Sequence, residues 1–185
     1  MTIYTIGHST RAADAFLRLL ELHLVKRLVD VRSFPFSRRH PQFNGANLER
    51  RLRAKNVRYI HLPALGGLRK KKLEDSPNQG WQVEGFRNYA DHMLTEEFRD
   101  GIRRLKEIAA GARTAVMCAE ATPYRCHRRL ISDFLQAAEG MTVLHIFAEE
   151  RIEEHRLTPF ARTEEGLIVY PARQGSLFDS GRSSR

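Results

Sequence analysis

Residues 114–128, TAVMCAEATPYRCHR, join a short apolar run to the densest reactive chemistry in the chain. Thr114 to Met117 reads as a buried strand, and Thr122 followed by Pro123 reads as the N-cap and first position of a helix. A strand feeding a helix in this way is half of a βα unit. The turn and helix start hold Cys118, Glu120, Cys126, His127 and Arg128, including both cysteines of the chain. A helix start offers free backbone N–H groups and a positive dipole end, which suit an anion or a thiolate. These residue types crowded into one turn point to a reaction or ligand site.

The same alternation continues on both sides. Ile3–Ile6, Leu28–Val31, Val57–Leu62 and Val143–Phe147 join Ala115–Cys118 as apolar strand candidates. Between them run helical stripes: Phe16, Leu17, Leu20 and Leu24; Leu48 and Leu52; Phe98, Ile102, Leu105 and Ala109; Leu130, Ile131, Phe134 and Leu135. Strands alternating with helices predict an α/β fold, a Rossmann-like three-layer sandwich built on a mostly parallel sheet of about five strands. Residues 1–172 read as one α/β domain and 173–185 as a flexible polar tail. The stretch 66–80, GGLRKKKLEDSPNQG, reads as a mobile, basic loop of the kind that forms lids.

Composition narrows the setting. With 42% hydrophobic and 29% charged residues the chain is ordinary for a globular protein, and no apolar run approaches the ~20 residues of a membrane span. The first residues carry no leader pattern, and two cysteines beside His and Glu do not make a disulfide framework, so a reducing cytoplasm is expected. A Cys118–Cys126 disulfide stays open as an alternative. The net charge is +9, and eleven Lys or Arg against Glu49 alone between Arg38 and Lys72 put +10 into one stretch. Such a local excess is an electrostatic footprint for phosphates, although a solvated helix face would look the same.

Ligands of open parallel sheets sit beyond the carboxyl ends of the strands. Reading each strand to its end delivers His8; Asp30, Arg32, Ser33 and Arg38; His61; and Cys118 with Glu120. Each has a plainer reading. Asp30 in an apolar strand needs a partner, for which Arg32 or Arg38 is at hand. His61 and His145 fit as core histidines, and either cysteine fits as a small buried hydrophobe. Three chemistries remain. One is nucleophilic, a Cys thiolate with a His or Glu base and an Arg cradle for phosphate. Another is acid–base work by Asp30, Glu120 and the histidines. The third is a metal site, less favoured because Cys126 and His127, adjacent on a helix, would point about 100° apart and no CxxC pair exists.

Taken together, Tyr4-Thr5-Ile6-Gly7-His8-Ser9, Leu28-Val29-Asp30-Val31-Arg32-Ser33, Pro35 with Ser37-Arg38, Phe43, Tyr59 to Pro63, Leu65-Gly66-Gly67, Phe86 with Tyr89-Ala90, Met117 to Glu120, Pro123, Cys126-His127-Arg128 and His145-Ile146 resemble the proteins assigned to domain of unknown function 488. The resemblance implies a Rossmann-like α/β domain and supplies no reaction. In the tail, Gln174-Gly175-Ser176-Leu177-Phe178 is similar to the Gln-x-x-Leu-Phe peptide that docks on bacterial sliding clamps, with Gly175 where Leu is usual.

The resulting expectation is an enzyme acting on a nucleic-acid or nucleotide substrate, in a DNA-maintenance setting. Cys118 or Cys126 would be nucleophile or redox thiol, Glu120, His8 and Asp30 acid–base groups, and Arg32, Ser33, Arg38, His61, His127, Arg128 and Lys70, Lys71 and Lys72 substrate-binding. Gln174, Leu177 and Phe178 would contact a clamp. No cofactor motif is present. A non-catalytic nucleic-acid adaptor and a small-molecule, sulfur-transfer-like thiol enzyme are the competing expectations.

Overall fold

The computed structural model describes residues 1–70, 73–164 and 166–172. Six strands form one sheet: β1 (Thr2–Gly7), β2 (Arg27–Asp30), β3 (Arg58–His61), β4 (Thr114–Cys118), β5 (Thr142–Ala148) and β6 (Arg151–Glu154), in the order β3-β2-β4-β1-β5-β6. The first five run parallel and β6 is antiparallel to β5. The five parallel strands fall on the five apolar runs. β6, whose sequence is RIEE, was not foreseen, because an exposed edge strand needs no apolar pattern.

Five helices flank the sheet: α1 (Ala13–Leu22), α2 (Gly45–Arg53), α3 (Glu84–Met93), α4 (Glu96–Ala110) and α5 (Arg128–Ala137). Alternation along each strand divides the core in two. Leu28, Ala115, Met117 and Ile146 meet α1 and α2 on one face. Ile3, Val29, Val116 and Val143 meet α3, α4 and α5 on the other. The result is a three-layer α/β sandwich. Its order departs from the 3-2-1-4-5-6 arrangement of doubly wound folds in that β4 lies between β1 and β2. A small hairpin, β7 (Arg162–Glu164) with β8 (Leu167–Val169), packs against α3 and α5.

Three sequence expectations need correction. Leu24 does not continue the first stripe: α1 stops at Leu22, and Leu24 takes φ 53° with its side chain exposed. The helix after β4 does not begin at Pro123. Pro123–Arg125 form a single 3-10 turn, Cys126 is extended at φ −146° and ψ 156°, and α5 starts only at Arg128. Thr122 makes no side-chain cap bond. The described part of the loop 66–80 is also not a free lid: Ser76 and Asn78 are buried and donate to Asp91 Oδ1, while Asn78 Oδ1 accepts the Tyr170 N–H at 2.9 Å.

Candidate functional site

β4 leads into α5 on one face, whereas its sheet neighbours β1 and β2 lead into α1 and α2 on the other. The chain after β4 therefore heads for the opposite face from both neighbours, which opens a crevice at the carboxyl edge of a parallel sheet. The first residues past β1 nonetheless stay paired to it, the His8 and Ser9 N–H groups donating to the Cys118 and Ala119 carbonyls at 3.0 and 2.8 Å. Close approach is built in at Gly7, where a Cβ would fall 1.8 Å from the Glu120 carbonyl oxygen. The polar residues delivered to this edge do not form one site. The sheet separates them into two clusters.

On the α1/α2 face, Asp30 is fully buried. Arg32 grips its carboxylate, with Nε 2.9 Å from Oδ1, and the Tyr59 hydroxyl donates to Oδ2 at 2.7 Å. Arg32 Nη2 also donates to the Phe43 carbonyl at 2.8 Å. His8 Nδ1 lies 2.8 Å from the Ser9 carbonyl, which only accepts, so the proton sits there and Nε2 accepts from Arg32 Nη1 at 3.3 Å. Burial, with the Arg32 charge, lowers the His8 imidazole to about 4. Burial opposes the Arg32 charge, but its bonds to Asp30 raise its hold on the proton above the ordinary range. Burial and the Asp30 carboxylate push Tyr59 up, so it remains a donor. His61 Nε2 donates to the Arg32 carbonyl at 2.8 Å. Every charge here has its partner.

The other cluster lies on the α3/α4/α5 face. Cys118 ends β4, and the extended conformation of Cys126 turns its sulfur back toward it. His127 Nδ1 lies 3.9 Å from Cys118 Sγ and 3.8 Å from Cys126 Sγ. His127 Nε2 is 3.0 Å from the Val31 carbonyl, so Nε2 carries a hydrogen and Nδ1 is the ring nitrogen that faces the sulfurs. Gly67 makes room for the ring, since a Cβ there would sit 2.3 Å from Nδ1. Both cysteines are free in this structure.

Arg128 sets the electrostatics. Its side chain is 1% exposed and has no carboxylate partner among the described residues. Its Nε and its backbone N–H each lie 3.3 Å from Cys126 Sγ, and Nη2 donates to the Glu120 carbonyl. A buried guanidinium needs an anion, and the one beside it is the Cys126 sulfur. Burial pushes the Cys126 thiol up, but the hydrogen bond from Cys118 and the charges of His127 and Arg128 outweigh it and hold the group well below the ordinary thiol range. Cys118, the donor of that bond and itself buried, is raised correspondingly. Of the two sulfurs, Cys126 is the one these groups favour as the more acidic.

A pocket of about 340 Å³ opens above these sulfurs, walled by Gly67, Val83, Phe86, Glu120, Arg125 and His127. Glu120 and Arg125 are exposed at its rim. Of the other residues expected here, Arg32 and Arg128 are consumed by buried partners and present no free face to a phosphate. His8, Asp30 and His61 belong to the first cluster. Ser33 Oγ accepts the Leu68 N–H at 2.9 Å, which ties the loop after β2 to the pocket wall. Arg38 and Lys70 are exposed. Lys71, Lys72, Gln174, Leu177 and Phe178 lie outside the described residues.

Sequence reasoning missed Phe34 and Phe36. They follow Ser33 on the same loop and are 71% and 66% exposed, while Arg38 and Arg39 beyond them form no ion pair among the described residues. The signal was legible: two aromatics flanking a proline ahead of two arginines, outside any apolar period.

An α/β sandwich with a cysteine and imidazole pocket at its carboxyl edge is the class these features define. The chain belongs to the family described as domain of unknown function DUF488, whose model matches residues 12–135. No curated protein and no solved structure matches it. Among the described residues no helix is long and apolar enough to cross a membrane.

Proposed function

We propose that the protein is an enzyme acting on single-stranded nucleic acid, with its reacting centre at the Cys118–Cys126–His127 pocket. The observation that carries this is the loop after β2. Within six residues beyond Ser33, which is itself bonded to the pocket wall, it holds two exposed phenylalanines and two arginines that form no ion pair among the described residues. Burying an aromatic ring is worth several kcal/mol in a core, so rings displayed in pairs on an ordered loop are surfaces for a partner. Ordering is visible in the loop's backbone: the Pro35 carbonyl accepts the Gly45 N–H at 2.8 Å, and the Ser37 N–H donates to Asn44 Oδ1 at 2.7 Å. Aromatic faces interleaved with arginine match unpaired bases and phosphates, and stacking is worth about 1–3 kcal/mol per base.

In this reading Phe34 and Phe36 stack bases, Arg38 and Arg39 hold phosphate, and the pocket receives one nucleotide beside the thiolate, with Glu120 and Arg125 at its mouth. The test is titration of fluorescent single-stranded DNA and RNA, with duplex controls, across a salt series. Binding should weaken steeply with salt. Phe34→Ala with Phe36→Ala should cost ten-fold or more, whereas Cys126→Ser should leave binding intact and stop turnover of whatever strand is bound. Absence of binding at low salt, or binding indifferent to the two phenylalanines, would sink the proposal and favour a small-molecule thiol enzyme.

A further inference from the structure

The turn after β4 assembles a donor set that the sequence argued against. The objection was that Cys126 and His127 share a helix and diverge. Cys126 is not helical, and its sulfur, the Cys118 sulfur and His127 Nδ1 all lie within 4.8 Å of one another. Tetrahedral zinc, with bonds of about 2.3 Å to sulfur and about 2.0 Å to nitrogen, separates a sulfur from a nitrogen by about 3.5 Å and two sulfurs by roughly 3.8 Å. The observed sulfur–nitrogen distances of 3.9 and 3.8 Å need only a small contraction.

The surroundings have the form of a metal site's outer shell. His127 donates Nε2–H to the Val31 carbonyl, which fixes the tautomer whose Nδ1 can ligate. The Cys126 sulfur takes the backbone N–H of Arg128, two residues further along, at 3.3 Å. Donors of this kind spread the charge of bound thiolates. The side not covered by protein faces the pocket.

We propose that Cys118, Cys126 and His127 bind one thiophilic divalent metal ion, zinc being the closest chemical fit, with a fourth position open to the pocket. Two soft sulfurs and one imidazole select such an ion over magnesium or calcium. Three protein ligands and an open position are the pattern of catalytic rather than structural zinc. The proposal goes beyond the nucleic-acid reading and does not depend on it.

The experiment uses the full chain, reduced and stripped with a chelator, titrated with Co²⁺ and then Zn²⁺. One equivalent of Co²⁺ should give the intense visible bands of a tetrahedral site together with a thiolate charge-transfer band. One equivalent of Zn²⁺ should abolish both and raise the unfolding temperature. Cys118→Ser and His127→Gln should each lower zinc affinity by more than about 100-fold, beyond the loss expected from an outer-shell partner. Both leave the sulfur beside Arg128 in place, so they remain informative where Cys126→Ser does not fold. A cobalt complex without the thiolate band, or zinc affinity unchanged in both variants, overturns the proposal. Oligonucleotide binding by His127→Gln, measured in parallel, reports separately on the nucleic-acid reading.

Discussion

Two buried polar clusters stand at the same sheet edge, one on each face, and they are built on opposite principles. Around Asp30, an anion, a cation, a phenol and an imidazole satisfy one another, and Phe43 stacks on His8 with ring centroids 4.2 Å apart. Nothing is left over for a ligand. Around Cys126, a guanidinium is buried without a carboxylate among the described residues, an imidazole nitrogen faces sulfur, and a pocket opens above them. Sequence alone made these look like one constellation. The difference shows that position at a carboxyl edge is not enough: a buried charge network that closes on itself stabilises a fold, whereas one that closes only when a thiol ionises or an ion binds is available for chemistry.

The largest break in that contrast should come from the closed cluster. Asp30→Ala leaves Arg32 buried without its partner and should cost about 3–5 kcal/mol in urea unfolding, while Cys118→Ala should cost under about 2 kcal/mol. Comparable losses in the two variants would mean that the clusters share the structural load.

Acidity should act on the closed cluster too. His8, lowered to about 4 mainly by burial, faces Arg32, Asp30 and His40. An unfolded chain takes up this proton near pH 6.5, and the fold refuses it until near 4. Stability therefore rises with pH through that window and is lost as pH falls from 6.5 to 4, by up to about 3 kcal/mol for this group. His145, lowered to about 3 by burial and by His155, adds a loss of the same sign. His8→Gln should flatten the difference between unfolding free energies at pH 7 and 4.5; an unchanged slope would show that His8 titrates alike in both states.

Fold class was legible because four of the five parallel strands bury residues on both faces, and β3 at the edge still sets Tyr59 and Ile60 against the two cores, so all five appear as apolar runs. β6 and β7 carry too few apolar residues to stand out, β8 is apolar but only three residues long, and α3 hid because its buried residues include Asn88, Asp91 and His92 beside Tyr89, Ala90 and Met93. The position of the proposed site was already suggested by the strand ends. Its partition was not, since which face a residue takes depends on register, and Asp30 and Cys118 have opposite parity in their strands. The metal geometry was hidden by one backbone choice, the extended Cys126 between a 3-10 turn and α5. Sequence rules that place Pro at the start of a helix cannot see a break three residues later.

A subtler probe sharpens the contrast from the open side. A Cβ at Gly67 would press on His127 Nδ1 without touching the Asp30 cluster, so Gly67→Ala should tilt the ring and weaken zinc binding about ten-fold or more while moving the unfolding midpoint little. Equal zinc affinity would mean that the loop yields instead of the ring.

The smallest effect on the fold should come from Phe34→Ala. The ring is 71% exposed, so its removal should change stability by less than about 0.5 kcal/mol, and loss of an exposed apolar surface should improve solubility. The same substitution should weaken single-strand binding by an order of magnitude, because one stacked base is worth more than the stability lost. A residue that costs almost nothing to the free protein and much to the complex is one retained for its partner. If Phe34→Ala instead destabilises the protein by several kcal/mol, the ring packs against something within the chain, and the loop after β2 joins the closed cluster beneath it.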